Sequence, residues 1–376
     1  MPSSFVPEEE KSIILVPGKK GKRVLAELAD FFLMLVLEMM VYALVALGID
    51  HSSLGKAASE QIVLLNEESQ RSGLRIQDEE NGIYSDEKLA EAYVERVYAY
   101  DGTNEPTDSL YRYYCQYESP QKPFYSVKRY NTEILELGQE GCIFESSGEG
   151  RVAVLSSSLR VFLKDYVEGE RANADVVNAA RTVKEFYSKK YQVAWTEFAQ
   201  STPYSDYLKA YTNAATKHYL MLGLGAIFSY IVAGGVFYFL IPCIGKTGRA
   251  VGKRVMHLEP LGEEGGPLKW SQIFLRGTVS FLIGSFGIPF ATFFVYGFDG
   301  FMLPFALFGM TALRLSLFLA FGGVLGVIST GFMIIRQDGA SLSEILSHTM
   351  VFTNDVALIG AERAKIEAER AKQNEQ

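Results

Sequence analysis

Residues 23–48 read RVLAELADFFLMLVLEMMVYALVALG. Between Phe31 and Leu47 the one charged side chain is Glu38. At 1.5 Å per residue the apolar stretch Leu25–Gly48 can cross about 30 Å of hydrocarbon as a helix. It follows a basic cluster, Lys19, Lys20, Lys22 and Arg23. A cleavable signal peptide has a shorter apolar core and a small-residue cleavage site, so the stretch is expected to be a retained signal anchor. This reading makes the chain an integral membrane protein, with residues 1–22 as a cytoplasmic N-terminal segment.

Three further apolar stretches follow. Tyr219–Cys243 carries no charge, and Ser271–Tyr296 carries only Arg276 near its start. Phe301–Ile335 is longer than one span needs and contains Pro304 and Arg314. Its first part, Phe301–Leu313, is expected to be an interfacial or re-entrant helix, and Leu315–Ile335 the fourth span. Two short re-entrant helices are the alternative. Basic residues flank the spans at Lys19–Arg23, at Lys246, Arg249, Lys253 and Arg254, and at Arg336. With four spans these three regions share one side, which the positive-inside rule makes cytoplasmic.

The segment between the first two spans differs in kind. Residues 49–217 hold 27 of the 44 acidic side chains, 19 of the 36 basic ones and 16 of the 21 tyrosines. An acidic, Tyr-rich excursion of this size can bury a core of its own. It is expected outside the membrane and mostly helical. Ser59–Ser69 is amphipathic, Asp86–Tyr100 follows a capping serine, and Asn173–Phe198 places apolar residues at helical spacing. Gly138–Leu155 suits a loop or a short hairpin. Tyr111, Tyr113, Tyr114, Tyr117, Tyr125 and Tyr130 are expected in a core or interface belt, or on a carbohydrate- or peptide-binding face. The insert holds Cys115 and Cys142; a disulfide between them and two free thiols are both open. The fold class is therefore mainly α: a polytopic bundle of about four spans with a large helical insert between spans one and two. The domain limits are 23–48, 49–217 and 218–355, then a charged cytoplasmic tail at 356–376.

Three local patterns stand out in the flanking parts. Arg23-Val24-Leu25-Ala26-Glu27-Leu28-Ala29-Asp30 opens the first span. Gly248-Arg249-Ala250-Val251-Gly252-Lys253-Arg254-Val255-Met256-His257-Leu258 follows the second, and Arg276 heads the third. Ser341-Leu342-Ser343-Glu344-Ile345-Leu346-Ser347-His348-Thr349-Met350-Val351 closes the membrane part. In this order they resemble the RDD family of integral membrane proteins, with its R-x-x-A-x-x-x-D, G-x-T-x-G-K-x-x-x-x-L and S-L-H-D-x-x-x-x-T-x-V signatures. The resemblance covers about residues 20–48 and 218–355, not the insert. Ala250 replaces the usual threonine, Ser343-Glu344 stands where His-Asp is common, and no aspartate follows Arg276 in the third helix. The resemblance implies a bacterial cell membrane and, for some members, ion exchange.

Arg23 and Asp30 are seven residues apart, so they fall about 20° apart on a helix, with Asp30 about 10 Å deeper. A carboxylate at that depth needs a cation or hydrogen bonds. Arg276 is the expected partner, with Lys253 and Arg254 as alternatives. Glu38 lies eight residues further on and about 80° round. Two roles are open for it: a proton or cation relay, or a neutral carboxyl bonded to another helix. The Gly248–Lys253 loop has the wrong spacing for a nucleotide-phosphate loop and lacks its Ser or Thr. Its basic residues suit anionic lipid headgroups instead. No motif calls for a cofactor, a metal or an enzyme, and no basic stripe with interleaved aromatics suits nucleic acid. Two functions are expected to compete. One is ion or small-solute transport through Arg23, Asp30, Glu38 and Arg276, favouring a homo-oligomer because four spans are few. The other is a binding or assembly role in which the insert recognises an envelope protein or glycan.

Overall fold

The structure is a computed structural model that describes residues 15–78, 82–122, 124–244, 247–263, 265–307 and 310–374. Residues 1–14, Lys246, Glu264 and the side chains of Glu367 and Arg370 lie outside the described residues. The fold is mainly helical. It divides into two compact units, one made of the chain up to Ser52 and from Lys217 onward, the other of Ser53–Thr216.

In chain order the main helices are α1 (Lys20–Asp50), then α2 (Ser53–Arg71), α3 (Asp86–Ala99), α4 (Ser157–Val167) and α5 (Ala174–Gln200). They continue with α6 (Tyr204–Gly234), α7 (Val251–Val255), α8 (Trp270–Gly284), α9 (Gly287–Tyr296), α10 (Ser316–Ile335), α11 (Leu342–Ser347) and α12 (Val356–Asn374). Three helical segments are long and apolar enough to cross a membrane: α1, Tyr204–Cys243 and α10. The pair α8 and α9, bent by 43°, makes a fourth if counted as one span.

The solvent these helices are built for is legible in α1. Its buried residues include Arg23, Asp30, Glu38 and Tyr42, whereas Leu25, Leu28, Phe32, Leu33, Val36, Met40, Leu44 and Leu47 are exposed. A water-soluble helix does the reverse. The helix α10 also turns Leu317, Phe321, Val324, Val327, Phe332, Ile334 and Ile335 outward. Apolar surface on this scale is tolerated where hydrocarbon replaces water.

One span is bent, and one expectation about the spans needs correction. The third apolar stretch is not one straight helix but breaks at Ser285–Phe286 between α8 and α9. Pro289 has no N–H to return to the carbonyl of Ser285, and that carbonyl instead accepts from the Ile288 N–H at 3.1 Å. Nor is Phe301–Leu313 a helix. After a single turn at Phe298–Phe301, the chain forms strands β2 (Pro304–Leu307) and β3 (Met310–Arg314), paired antiparallel. Here β1 is Leu258–Gly262 and β4 is Thr349–Thr353. Pro304 disfavours helix at the residue before it, and a hairpin lets the two arms satisfy each other's backbone groups. The hairpin is seated by Gly223 of α6: a Cβ there would lie 2.0 Å from the Pro304 carbonyl oxygen. Side by side with it, Phe305 joins the bundle core of Met34, Tyr42, Ala226, Tyr230 and Ile288.

The Ser53–Thr216 unit has a separate core. The serine read as a cap does cap α3: the Ser85 side chain accepts from the Lys88 N–H. Asn173 does the same for α5, accepting from Asp175. A turn at His51–Ser52 separates α1 from α2. The stretch Gly138–Leu155 resolves as a hairpin whose strands are two residues each, Phe144–Glu145 with Val154–Leu155. Tyr111, Tyr113, Tyr114, Tyr117 and Tyr130 are buried with Leu110, Leu163, Val183 and Phe198, and Tyr125 packs against them. These tyrosines are core, not an open binding face. Cys115 and Cys142 are both free thiols. The Cys142 thiol is instead bonded within its own turn, donating toward the Leu135 carbonyl at 3.3 Å. Under non-reducing conditions, denatured full-length protein is therefore expected to take up maleimide at all three cysteines, measured by intact mass. A mass showing only Cys243 labelled would mean that the insert pair is bonded.

Candidate functional site

The three motif segments are drawn together by a short antiparallel ladder. Strand β1 pairs with β4 from Leu258 opposite Thr353 to Gly262 opposite Thr349. The segment before α1 pairs with the other edge of β4, with the Gly18 N–H donating to the Val351 carbonyl and the Thr353 N–H donating to the Val16 carbonyl. The ladder thereby fixes α7 and α11 against the charged end of α1.

Gly252 makes the approach of α7 possible. A Cβ at this position would lie 2.2 Å from the Ala26 carbonyl oxygen, so only glycine lets α7 lie on α1. The Gly252 N–H then donates to Asp30 Oδ1 at 2.7 Å. The expected Asp30–Arg276 pair does not form. Arg276 Nη2 donates to Glu344 Oε1 at 3.1 Å, and its Nη1 donates to Thr349 at 3.1 Å. Arg23 donates to the other oxygen of Glu344 and, at 2.9 Å, to the Asp338 carbonyl. One carboxylate thus bridges two guanidiniums, and all three groups are buried. Glu344 also accepts from the Ser341 N–H at 3.0 Å, closing a capping box at the start of α11.

Beside this cluster lies a cavity of about 610 Å³. Its charged lining is Glu27, Asp30, Lys253 and Arg276, and its apolar lining includes Phe31, Phe237 and Phe286. Lys253 is buried rather than presented to headgroups, and Arg254 is the exposed neighbour. Burial pushes the Lys253 ammonium below the usual lysine range, and Arg276 adds to that push. Glu27 and Asp30 oppose it. Gly248 closes the loop in a left-handed conformation, φ +63°, with Leu268 where a side chain would stand. Tyr238, which also lines the cavity, comes from a π-helical turn, Gly235–Leu240, that follows α6. Such turns re-aim side chains out of the regular helical register and recur at functional sites.

Glu38 is not part of the cavity lining. It is 0 % exposed, and neither carboxyl oxygen has a hydrogen-bond partner among the described residues. The carboxyl faces Gly287, where a Cβ would lie 3.3 Å from Oε2. The stacked rings of Phe31 and Phe286, with centroids 4.4 Å apart, line the cavity two helical turns before it on α1.

The sequence pattern placed Arg23, Asp30, Arg276, Gly248, Gly252 and Lys253, and the fold gathers them at one end of the bundle. It missed three residues. Glu27 carried a signal, since it lies four residues after Arg23 and three before Asp30 on the same face. Glu344 appeared only as a departure from the family pattern, and nothing local marks Tyr238. Among the described residues no group of His, Cys, Asp and Glu could hold a metal ion. No family model matches this chain, and comparison with curated proteins and with solved structures finds no match.

Proposed function

We propose that this chain is an RDD-like, multi-pass membrane protein that moves a small ion or solute through its helix bundle. The observation that carries this reading is the pairing of two features. A cavity with two acids and two bases opens at one end of the bundle, and an uncompensated carboxyl, Glu38, lies deeper on the same helix. A structural anchor needs neither. Ionisable groups in spanning segments are costly and mark ion or proton routes by default. The cavity volume falls in the range of small-ligand sites. The orientation follows from the basic flanks: both ends of the chain in the cytoplasm, the Ser53–Thr216 unit outside, and the cavity on the cytoplasmic side.

The test is flux. Purified protein in liposomes is expected to carry protons or sodium down an imposed gradient well above protein-free vesicles. Asp30→Asn, which also weakens the hold on α7, should reduce that flux. Wild-type vesicles as tight as empty ones to both ions would remove the transport reading. A binding role for the insert has one observation in its favour: a cleft of about 540 Å³ lined by Tyr84, Tyr191 and Trp195 with Arg75, Asp86 and Gln192. Aromatic platforms flanked by polar groups suit an envelope glycan or peptide, and such a partner is compatible with transport by the bundle.

A further inference from the structure

A line of titratable side chains runs the length of α1. Near the cavity stand Glu27 and Asp30. Tyr238 lines the cavity with both, and its hydroxyl stands beside that of Tyr230 at Gly284, where a Cβ would lie 2.7 Å from the first and 3.0 Å from the second. One turn beyond Glu38 on the same face is Tyr42, also 0 % exposed, whose hydroxyl has no partner among the described residues. Tyr42 packs edge-on to Tyr296 at 6.3 Å between ring centroids. The Tyr296 hydroxyl donates to Asp50 Oδ2 at 2.8 Å, and the other oxygen of Asp50 is 2.8 Å from His218 Nε2. Asp50 is exposed, so this last cluster meets the surroundings. From Glu27 to Asp50 the helix rises about 35 Å, enough to punctuate the whole hydrocarbon thickness.

The two unpartnered groups are the informative ones. A buried carboxyl and a buried phenol without hydrogen bonds each destabilise the bundle, and apolar side chains of similar size would pack there without that cost. They stand one helical turn apart on α1, between the cavity acids and the hydrogen-bonded Tyr296–Asp50–His218 cluster. Sodium is poorly served there, because it needs several oxygen ligands at once and, among the described residues, no group of acidic or histidine side chains gathers at Glu38. A proton needs one acceptor at a time.

We propose that the species moved is the proton, carried by Glu38 between the cavity acids Glu27 and Asp30, past Tyr238, and the outer cluster Tyr296–Asp50–His218, past Tyr42. This rests on the transport reading above. A protonated Asp30 or Glu27 gives up its O–H proton toward Tyr238, whose hydroxyl accepts it while passing its own proton to the Glu38 carboxylate. Glu38 then holds a neutral O–H. Its release breaks that bond toward the Tyr42 oxygen, while the proton already on Tyr42 moves on through Tyr296 to Asp50 or His218. Each tyrosine is neutral before and after the transfer, and the transmembrane proton gradient is the only driving force required.

The experiment uses full-length protein in liposomes loaded with a pH-sensitive dye, the membrane potential clamped by valinomycin and potassium, and sodium uptake followed in parallel. Glu38→Gln is expected to lower proton flux by at least about tenfold, the scale of losing one proton-transfer group. Glu38→Asp should keep part of the flux, and Tyr42→Phe should lose most of it. The Glu38→Gln melting temperature in detergent should not fall, because a neutral amide replaces a carboxyl that has no partner. Proton flux through Glu38→Gln at the wild-type rate would overturn the route. Sodium uptake without proton movement would overturn it while leaving transport standing, and wild-type vesicles that move neither ion would overturn both.

Discussion

Glu344→Ala will destabilise the membrane unit by about 3–5 kcal/mol, the usual cost of leaving buried charge without its counter-ion. The carboxylate is 1 % exposed and is shared by Arg23 and Arg276, which are almost as deeply buried. Its removal strands two guanidiniums at once and opens the capping box on the Ser341 N–H. Glu344→Gln should fall nearly as far, since an amide keeps the shape and discards the charge. The informative control removes the whole triad. Arg23→Met, Glu344→Leu and Arg276→Met together should recover much of the melting temperature, because apolar groups of similar volume often match a buried ion triad in stability. The same triple variant should not regain flux, since Arg276 lines the cavity. Thermal melts in detergent and liposome flux on the same preparations separate the two effects. A Glu344→Ala protein that melts within a degree or two of wild type would mean that the triad is solvated and plays no part in holding α1, α8 and α11 together.

How much of this was legible depended on the distance over which each feature is decided. The first span was readable because seventeen residues from Phe31 to Leu47 with one charge leave few alternatives. Ser85 and Asn173 were readable because a cap is a contact within three residues. Arg23 and Asp30 were placed on one buried face by helical arithmetic alone. The partners were not readable. Asp30 meets a backbone N–H 222 residues away and Arg23 a carboxylate 321 residues away. Three acids, Glu27, Asp30 and Glu344, and several cations in one region allow many pairings, and charge alone could not choose. What chose was Gly252: by letting α7 touch α1 it gave Asp30 a backbone donor and left Arg276 for Glu344. The hairpin after Leu303 was hidden for another reason. The apolar run from Phe305 to Met310 leaves no alternation for a strand or a helix to display, and Pro304 says only where a helix is disfavoured.

The glycine that decides the pairing also gives the second large effect. Gly252→Ala adds a single methyl, yet its Cβ would lie 2.2 Å from the Ala26 carbonyl oxygen, 3.0 Å from its carbonyl carbon and 3.1 Å from its Cα. Those atoms belong to the backbone of α1 and cannot rotate aside. Overpacking against mobile side chains costs about 1–3 kcal/mol, and a rigid backbone places this case at or above the upper end. Lifting α7 off also breaks the Gly252–Asp30 hydrogen bond, worth about 1.5–3 kcal/mol with a charged acceptor, and leaves Asp30 buried with neither oxygen bonded. The matched control is Gly331→Ala in α10, where a Cβ meets nothing within 4 Å. In that helix interior alanine is favoured over glycine by about 1 kcal/mol in water, so Gly331→Ala should be neutral or stabilising. Both variants add one methyl group to a helical glycine, so a melting temperature for Gly252→Ala well below both wild type and Gly331→Ala reports the α1–α7 interface. Gly252→Ala should fold in low yield and lose flux, with Lys253 newly open to amine-reactive labels. Equal melting temperatures for the two alanine variants would show that α7 does not rest on α1, and the account of how Asp30 is held would fall with it.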